Sequence, residues 1–284
     1  MRGQVIKIHS GRYSVFSEGK IFTCVARGVL KIKSLGIVTG DYVEFDEKAL
    51  TVNKVVLPRK SCFIRPSVAN VDAVNIVIAS PPKPDYLMID KLIISLMAQG
   101  VEVVLVVNKT DLGHDVYSDV KKNYGDIGCP IVSVSALTGE GVAEWKALLK
   151  GKLVAFAGQS AVGKSSLVNA LFGLNLKTND VSEKTQRGRH TTTVAQIYDM
   201  DDVRIVDTPG FSVIKPDISY RDLGLFYPEY FSRLQDCKYR GCTHSGEPGC
   251  AVKEAVDKGE LCRDRYLRYK TIFDELKEEE NNKY

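Results

Sequence analysis

No stretch of this 284-residue chain comes near the roughly 18 unbroken apolar residues that a membrane span requires. The opening "MRGQVIKIHSGR" has no apolar core of the kind a secretory leader carries, so a cytoplasmic protein without membrane attachment is expected. Internal repeats and low-complexity linkers are also missing, and disorder is expected only at the tail "DELKEEENNKY". Paired cysteines are not the theme either. There are seven, an odd number, and Cys237, Cys242 and Cys250 crowd together beside a histidine, which favours metal binding over a disulfide framework.

What is present fills about two domains, or one domain with two small modules, at roughly 100–200 residues per domain. Net charge is only +4, yet residues 1–60 hold eleven Lys and Arg against five Asp and Glu. Such a local surplus suits a phosphate backbone, and equally a solvated basic face. The same region reads as short strands punctuated by glycine, "GQVIKIHSG", "RYSVFSEG", "KIFTCVARG", "DYVEFDE" and "LTVNKVV". That pattern predicts a small barrel, of oligonucleotide-binding (OB) type given the charge, with an SH3-like barrel as the alternative.

From Val71 the texture becomes long apolar runs alternating with helical periods. "VDAVNIVIAS", "VEVVLVVN", "PIVSVSA" and "KLVAFAG" read as strands, and "YLMIDKLIISLMAQG", "GVAEWKALLKG" and "GKSSLVNALFG" as helices. Unbroken Val and Ile runs imply strands covered on both faces, hence a parallel sheet with crossover helices. "TTTVAQIYDM" and "VRIVDTPG" add two strands. Past Gly210 the alternation stops, and an aromatic, loop-like stretch runs to Tyr239, followed by the Cys/His cluster and helix-forming sequence from Ala251.

Gly158, Gln159, Ser160, Ala161, Val162, Gly163, Lys164, Ser165 and Ser166 spell a phosphate loop, G-x-x-x-x-G-K-S-S, between a buried strand and a helix. The glycines let backbone N–H groups turn toward phosphates, the helix N-terminus adds its dipole, Lys164 reaches the β and γ phosphates, and the Ser165 hydroxyl holds Mg²⁺. A plain glycine-rich turn is the bland reading. "DTPG", Asp207 to Gly210, supplies a carboxylate toward the Mg²⁺ water shell and a Gly210 N–H toward the γ phosphate, although alone the tetrapeptide is also a good turn. "NKTD", Asn108, Lys109, Thr110 and Asp111, stands at a strand end, where open α/β sheets place ligands. The Asp111 carboxylate can accept two hydrogen bonds from guanine, and adenine lacks both donors; a polar site of that kind discriminates by about 10⁴-fold. "SAL", Ser135, Ala136 and Leu137, follows at the next strand end and can offer backbone N–H to guanine O6.

These elements look like the signature of translation-factor-type GTPases in a cyclically shifted order. The guanine motifs at 108 and 135 precede the phosphate loop at 158 and "DTPG" at 207. Because domain termini often lie close in space, such a permutation can leave the site intact. The polar segment "SEKTQRGRHTTT" suits a nucleotide switch, with Thr192 or Thr193 as the Mg²⁺ ligand. Four residues past Asp207, where many GTPases carry a water-orienting glutamine, stands Phe211, so unaided turnover is expected to be slow. His190 can take the glutamine's place, or can be an idle loop histidine. Cys237, Cys242, His244 and Cys250 make a Cys₃His set, enough for a closed tetrahedral, structural zinc site. Around it Lys238, Arg240, Arg263, Arg265 and Arg268, with Tyr239, Tyr266 and Tyr269, either face RNA or form a solvated helix surface.

With barrel, permuted motifs, "GRHTTT", "DTPGF" and the C-x₄-C-x-H-x₅-C cluster together, the chain resembles the small-ribosomal-subunit-dependent GTPase family called RsgA or YjeQ over essentially its whole length. The resemblance implies an OB barrel at 1–62, a circularly permuted α/β GTPase domain at 63–214 and a mostly helical zinc-binding module at 215–284. It implies a protein that binds the 30S subunit and its 16S rRNA late in subunit maturation, hydrolyses GTP to GDP with stimulation by the subunit, and uses His190 as the catalytic histidine; a monomer is expected, with Lys164, Thr192, Thr193 and Asp207 as the further catalytic residues. The short acidic tail is expected to lack the further extension some relatives carry. The alternative is an rRNA-binding assembly factor switched by GTP and GDP, with hydrolysis incidental; a weaker one is an RNA-binding protein whose GTPase domain is structural.

Overall fold

The computed structural model describes residues 1–26, 36–64, 66–172, 195–200, 202–207 and 216–282. Five strands open the chain: β1 (Arg2–His9), β2 (Arg12–Ser17), β3 (Lys20–Ala26), β4 (Tyr42–Asp46) and β5 (Thr51–Val55). Each matches one of the five short runs. They pair in the order β1-β2-β3-β5-β4, and a β1–β4 pairing that sets Arg2 opposite Glu44 closes the barrel. Alternation puts Val5, Val15, Cys24, Val43, Phe45 and Val52 inside. This is the five-stranded barrel of the OB reading, and the SH3-like alternative falls away.

A short hairpin, β6 (Cys62–Phe63) with β7 (Val68–Ala69), leads into the α/β region. There β8 (Ala73–Ile78), β9 (Glu102–Val107), β10 (Ile131–Ser133), β11 (Leu153–Ala157), β12 (Gln196–Met200) and β13 (Val203–Asp207) assemble as β10-β9-β8-β11-β13-β12. All neighbours are parallel except β12, which runs antiparallel to β13. The Val/Ile runs are buried on both faces, as expected. Along β8, Val74, Ile76 and Ile78 pack on one side with Ile89, Leu92, Ile93 and Leu96 of α1 (Tyr86–Ala98) and with Val120 and Tyr124 of α2 (Asp115–Tyr124). Ala73 and Val77 pack on the other side with Trp145 and Leu149 of α3 (Val142–Leu149) and with Leu167 and Leu171 of α4 (Lys164–Phe172). Trp145, the chain's sole tryptophan, is fully buried, and its indole N–H donates to the buried Asn75 Oδ1 at 2.9 Å. That bond satisfies both polar groups inside the core.

β12 also pairs antiparallel with β1, Gln196 facing Lys7, so barrel and α/β sheet form one eleven-stranded sheet among the described residues. The sequence pattern gave no hint of this continuity, because pairing partners distant in sequence carry no local signal.

The C-terminal region departs from expectation in two ways. The aromatic stretch predicted as loop is largely 3₁₀ helix, Tyr220–Phe226 and Pro228–Asp236, whose Leu223, Tyr227 and Tyr230 join a core with Val252 of α5 (Ala251–Asp257) and Tyr269, Ile272 and Phe273 of α6 (Arg263–Asn281). The acidic tail expected to be disordered is helical through Asn281. Leu276 is buried, Lys91 of α1 pairs with Glu275 at 2.6 Å, and Ser219 donates to Glu280, so the tail has partners that its composition does not reveal.

Candidate nucleotide site and metal centre

The ends of β8, β9, β10 and β11 bring the expected phosphate loop and guanine loops side by side. Gly158 follows β11 with φ +126°, and a Cβ there would stand 2.3 Å from Val77 O. Gly163 has φ +93°, and a Cβ would lie 2.4 Å from Asn108 Nδ2. Both positions therefore exclude any side chain. Between them Ala161 also takes a left-handed conformation, at φ +64°. Val162 is buried and Ser160 exposed, and Gln159 spans to the segment after β8: its amide donates to Lys83 O at 3.2 Å and its Oε1 accepts from Asp85 N at 3.0 Å. Asp85 in turn caps α1, its carboxylate accepting from Met88 N.

Lys164, Ser165 and Ser166 begin α4, all half-buried. The Lys164 ammonium donates to Gly158 O at 2.8 Å and Gln159 O at 2.6 Å, arching over its own loop. Burial lowers its pKa from the ordinary lysine value, so an anion brought to this loop would favour the charged form.

Asn108 ties the two motifs together. Its amide donates to Val162 O at 2.9 Å, and its Oδ1 accepts from Ala136 N at 3.1 Å. Lys109, in a left-handed conformation, donates to Ala161 O and Pro81 O, and Thr110 is buried. The Asp111 carboxylate is exposed, with Oδ1 held at 2.6 Å by the hydroxyl of fully buried Ser135. Leu137 is exposed beside it. Asp207 ends β13 opposite Gln196, and burial raises its pKa above the usual carboxylate value. His190, Thr192, Thr193, Gly210 and Phe211 lie outside the described residues.

In the C-terminal region the Sγ atoms of Cys237, Cys242 and Cys250 and a ring nitrogen of His244 all lie within 4.8 Å of one another. His244 Nδ1 is 3.4 Å from Cys250 Sγ and 3.7 Å from Cys237 Sγ. Metal–ligand bonds of about 2.3 Å (S) and 2.0 Å (N) at tetrahedral angles give edges of roughly 3.5–3.8 Å, so the set fits a zinc-sized ion. Burial pushes the Cys242 thiol up to about 12 and lowers His244, the charge environment that a bound cation offsets. The cluster is braced from outside: Tyr266 OH donates to His244 O at 2.9 Å, Tyr269 OH to Thr243 O, and Glu247 accepts from Thr243 N and Oγ1. Cys262 stands apart, near Asn123 Oδ1.

Of the basic and aromatic residues read as RNA-facing or solvated, several are interior. Arg265 is 2% exposed; it binds Asp90 of α1 and Glu229, each at 2.5 Å, and lies between the rings of Tyr124 and Tyr227. Arg268 takes the other Asp90 oxygen and Asn123 Oδ1. Tyr266 and Tyr269 are buried, whereas Lys238 and Arg240 remain at the surface beside exposed Tyr239. Burial works against the Arg265 cation, and the charges of Asp90 and Glu229 outweigh it, raising its pKa. Sequence reading missed this cluster, yet it held a signal: a lone aspartate inside the apolar helix "YLMIDKLIISLMA".

A phosphate loop at one strand end, locked to a guanine-reading motif that comes earlier in the chain, defines a circularly permuted P-loop GTPase. The comparisons agree. Residues 56–216 match the model described as RsgA GTPase, and residues 2–52 the RsgA N-terminal domain. The chain belongs to the RsgA family of GTPases and is a GTP hydrolase. It is 38% identical over 286 residues to the small ribosomal subunit biogenesis GTPase RsgA of a Geobacillus species, covering 97% of each, and 40% identical to that of Moorella thermoacetica with the same coverage. Among solved structures it is similar to YjeQ from Thermotoga maritima, with TM-score 0.82, 37% identity and 97% and 98% of the two chains covered. It is also similar to YloQ, described as a circularly permuted GTPase, with TM-score 0.80, 30% identity and 98% and 95% covered.

Proposed function

We propose that this GTPase acts in biogenesis of the small ribosomal subunit, binding the 30S particle and its 16S rRNA as a monomer and hydrolysing GTP faster there than alone. The division into a barrel at 1–62, a GTPase domain at 63–214 and a zinc module at 215–284 belongs to the same proposal. The observation that carries the nucleotide assignment is Asn108, which joins the Val162 carbonyl to the Ala136 N–H, so that the phosphate loop and both guanine loops form one rigid cradle. In that cradle the backbone N–H groups of 158–163 and the Lys164 ammonium hold the phosphates. Asp111, aimed by Ser135, reads the guanine N1–H and amino group. Ser165, a threonine at 192 or 193, and Asp207 through water are the residues that would hold Mg²⁺, which supplies charge neutralisation between the β and γ phosphates. His190 orients the attacking water in place of the glutamine that Phe211 replaces. Cys237, Cys242, His244 and Cys250 hold a structural zinc ion. The identity of the relatives supports the ribosomal role, as does the basic surplus of residues 1–60.

The test is multiple-turnover GTP hydrolysis with and without purified 30S subunits, 50S subunits serving as control. Stimulation of about tenfold or more by 30S alone, equivalent to about 1.4 kcal/mol off the barrier, is expected. Equal rates in all three conditions would sink the ribosome-coupled reading.

A further inference from the structure

We infer that Thr39, a barrel residue far in sequence from every nucleotide motif, is a positioning residue for GTP hydrolysis. Its hydroxyl donates to Ala195 O at 3.0 Å, and the side chain is buried. Ala195 is the residue immediately before β12, two positions after Thr193 and five after His190. The inference rests on the proposed roles of His190 and of Thr192 or Thr193.

Thr39 is held from every side. Thr39 O accepts from Ala69 N at 2.9 Å, tying it to the β6–β7 hairpin. The next residue, Gly40, has φ +91° and so close an approach to Ala69 O that a Cβ would stand 2.0 Å away. Gly40 N donates to Val5 O, and Gly40 O accepts from Gln4 Nε2 and Asn70 Nδ2. Beyond it the fully buried Asp41 binds Val38 N and, through both oxygens, Arg59. A hydroxyl mounted on such a support has one position.

The other partner is equally placed. Gln196 pairs with Lys7 of β1 on one side and with Asp207 of β13 on the other, and Arg204 of β13 reaches Gln4 Oε1 at 2.7 Å. Fixing Ala195 therefore fixes the described residue that stands nearest in sequence to Thr193 and His190, next to the Gln196 that pairs with Asp207. The Ala195 carbonyl precedes the ladder of β12 and is 7% exposed as a residue, so without the threonine hydroxyl a buried acceptor loses its partner and that end of the chain its anchor. An error of about 1 Å at a reacting group can cost about 100-fold in rate.

The experiment compares Thr39→Val, which keeps the shape and removes the hydroxyl, with Thr39→Ser, which keeps the hydroxyl. Single-turnover GTP hydrolysis, GDP affinity and melting temperature are measured for each, with His190→Ala alongside. The expected result is a loss of about 10-fold or more in hydrolysis rate for valine, GDP affinity within about 2-fold of the parent, and recovery by serine. Should the valine chain fail to fold, Thr39→Ala carries the same comparison. If His190→Ala loses turnover while Thr39→Val hydrolyses at the parental rate, the inference about Thr39 is overturned and the reading of His190 stands. If neither substitution changes the rate, both fall. If valine lowers rate, GDP affinity and melting temperature together and serine does not restore them, Thr39 is only part of the barrel–sheet packing and the inference is likewise overturned.

Discussion

Asp90 sits on α1 of the GTPase domain, and its two oxygens receive Arg265 and Arg268 from α6. Replacing it with alanine strands a guanidinium whose side chain is 3% exposed with Glu229 as its remaining carboxylate, and leaves four charges, two of each sign, as three. Breaking a buried ion pair by removing one partner costs about 3–5 kcal/mol, and the aromatic faces of Tyr124 and Tyr227 cannot neutralise the surplus cation. The loss falls on the contact between α1 and the C-terminal region, not on the sheet. With a urea dependence of about 1–2 kcal/mol/M for a unit of this size, unfolding of the C-terminal helices should move down by roughly 1.5–5 M. Two probes separate the regions. Far-ultraviolet circular dichroism sees α6, nineteen residues long, whereas fluorescence of Trp145 reports the core under α3 alone. The Asp90→Ala chain should show an early dichroism transition while the tryptophan transition stays near its parental midpoint. Curves superimposable on the parent within about 0.5 M by both probes would refute the idea that this cluster fastens the C-terminal region to α1.

Gly163→Ala places a methyl carbon on Asn108 Nδ2 and forces alanine to a positive φ, so guanine-nucleotide affinity should fall by about 100-fold or more, measured by fluorescent GDP titration. Ser135→Ala removes the 2.6 Å bond that orients Asp111 and should weaken GDP binding by about 5–10-fold, about 1–1.5 kcal/mol, without altering the melting of the barrel. Chelation at neutral pH, or Cys250→Ser, should lower helical dichroism from α5 and α6 and leave Trp145 emission unchanged; loss of both signals together would contradict a metal that acts locally. Glu247→Ala deprives Thr243 N–H of its acceptor beside the cluster and should lower the stability of that region by about 1–2 kcal/mol, seen as earlier metal release on heating.

Elements whose character is local were legible in the sequence. Glycines turn the chain at Gly11 and Gly19, on either side of β2, and at Gly40 before β4, and the alternation of Val74, Ile76 and Ile78 with Ala73 and Val77 made β8 a strand buried on both faces. The loop at 158–166 could be read because its glycines have to be glycines: at Gly158 and Gly163 there is no room for a Cβ. What escaped notice was chemistry that depends on distant partners. Asp90 and Arg265 are 175 positions apart, Thr39 and Ala195 are 156 apart, and neither member of a pair announces the other. The tail misled for the same reason, since Glu275 and Glu280 look like solvated charge until Lys91 and Ser219 are brought to them.

The strand order also sets a timetable for synthesis. β11 lies between β8 and β13, but its pairing partner in β8 leaves the ribosome far ahead of it: Ala73 faces Val154. At about 5–20 residues per second, β8 waits roughly 4–16 s with one hydrogen-bonding edge bare. Lys7 of β1 waits longer still for Gln196, roughly 9–40 s at the same speed, although the barrel has all five of its strands within the first 55 residues and can close long before. The nascent chain therefore carries a finished barrel and a half-built sheet at once. An apolar strand edge of that kind is a natural customer for a chaperone until the phosphate-loop half arrives.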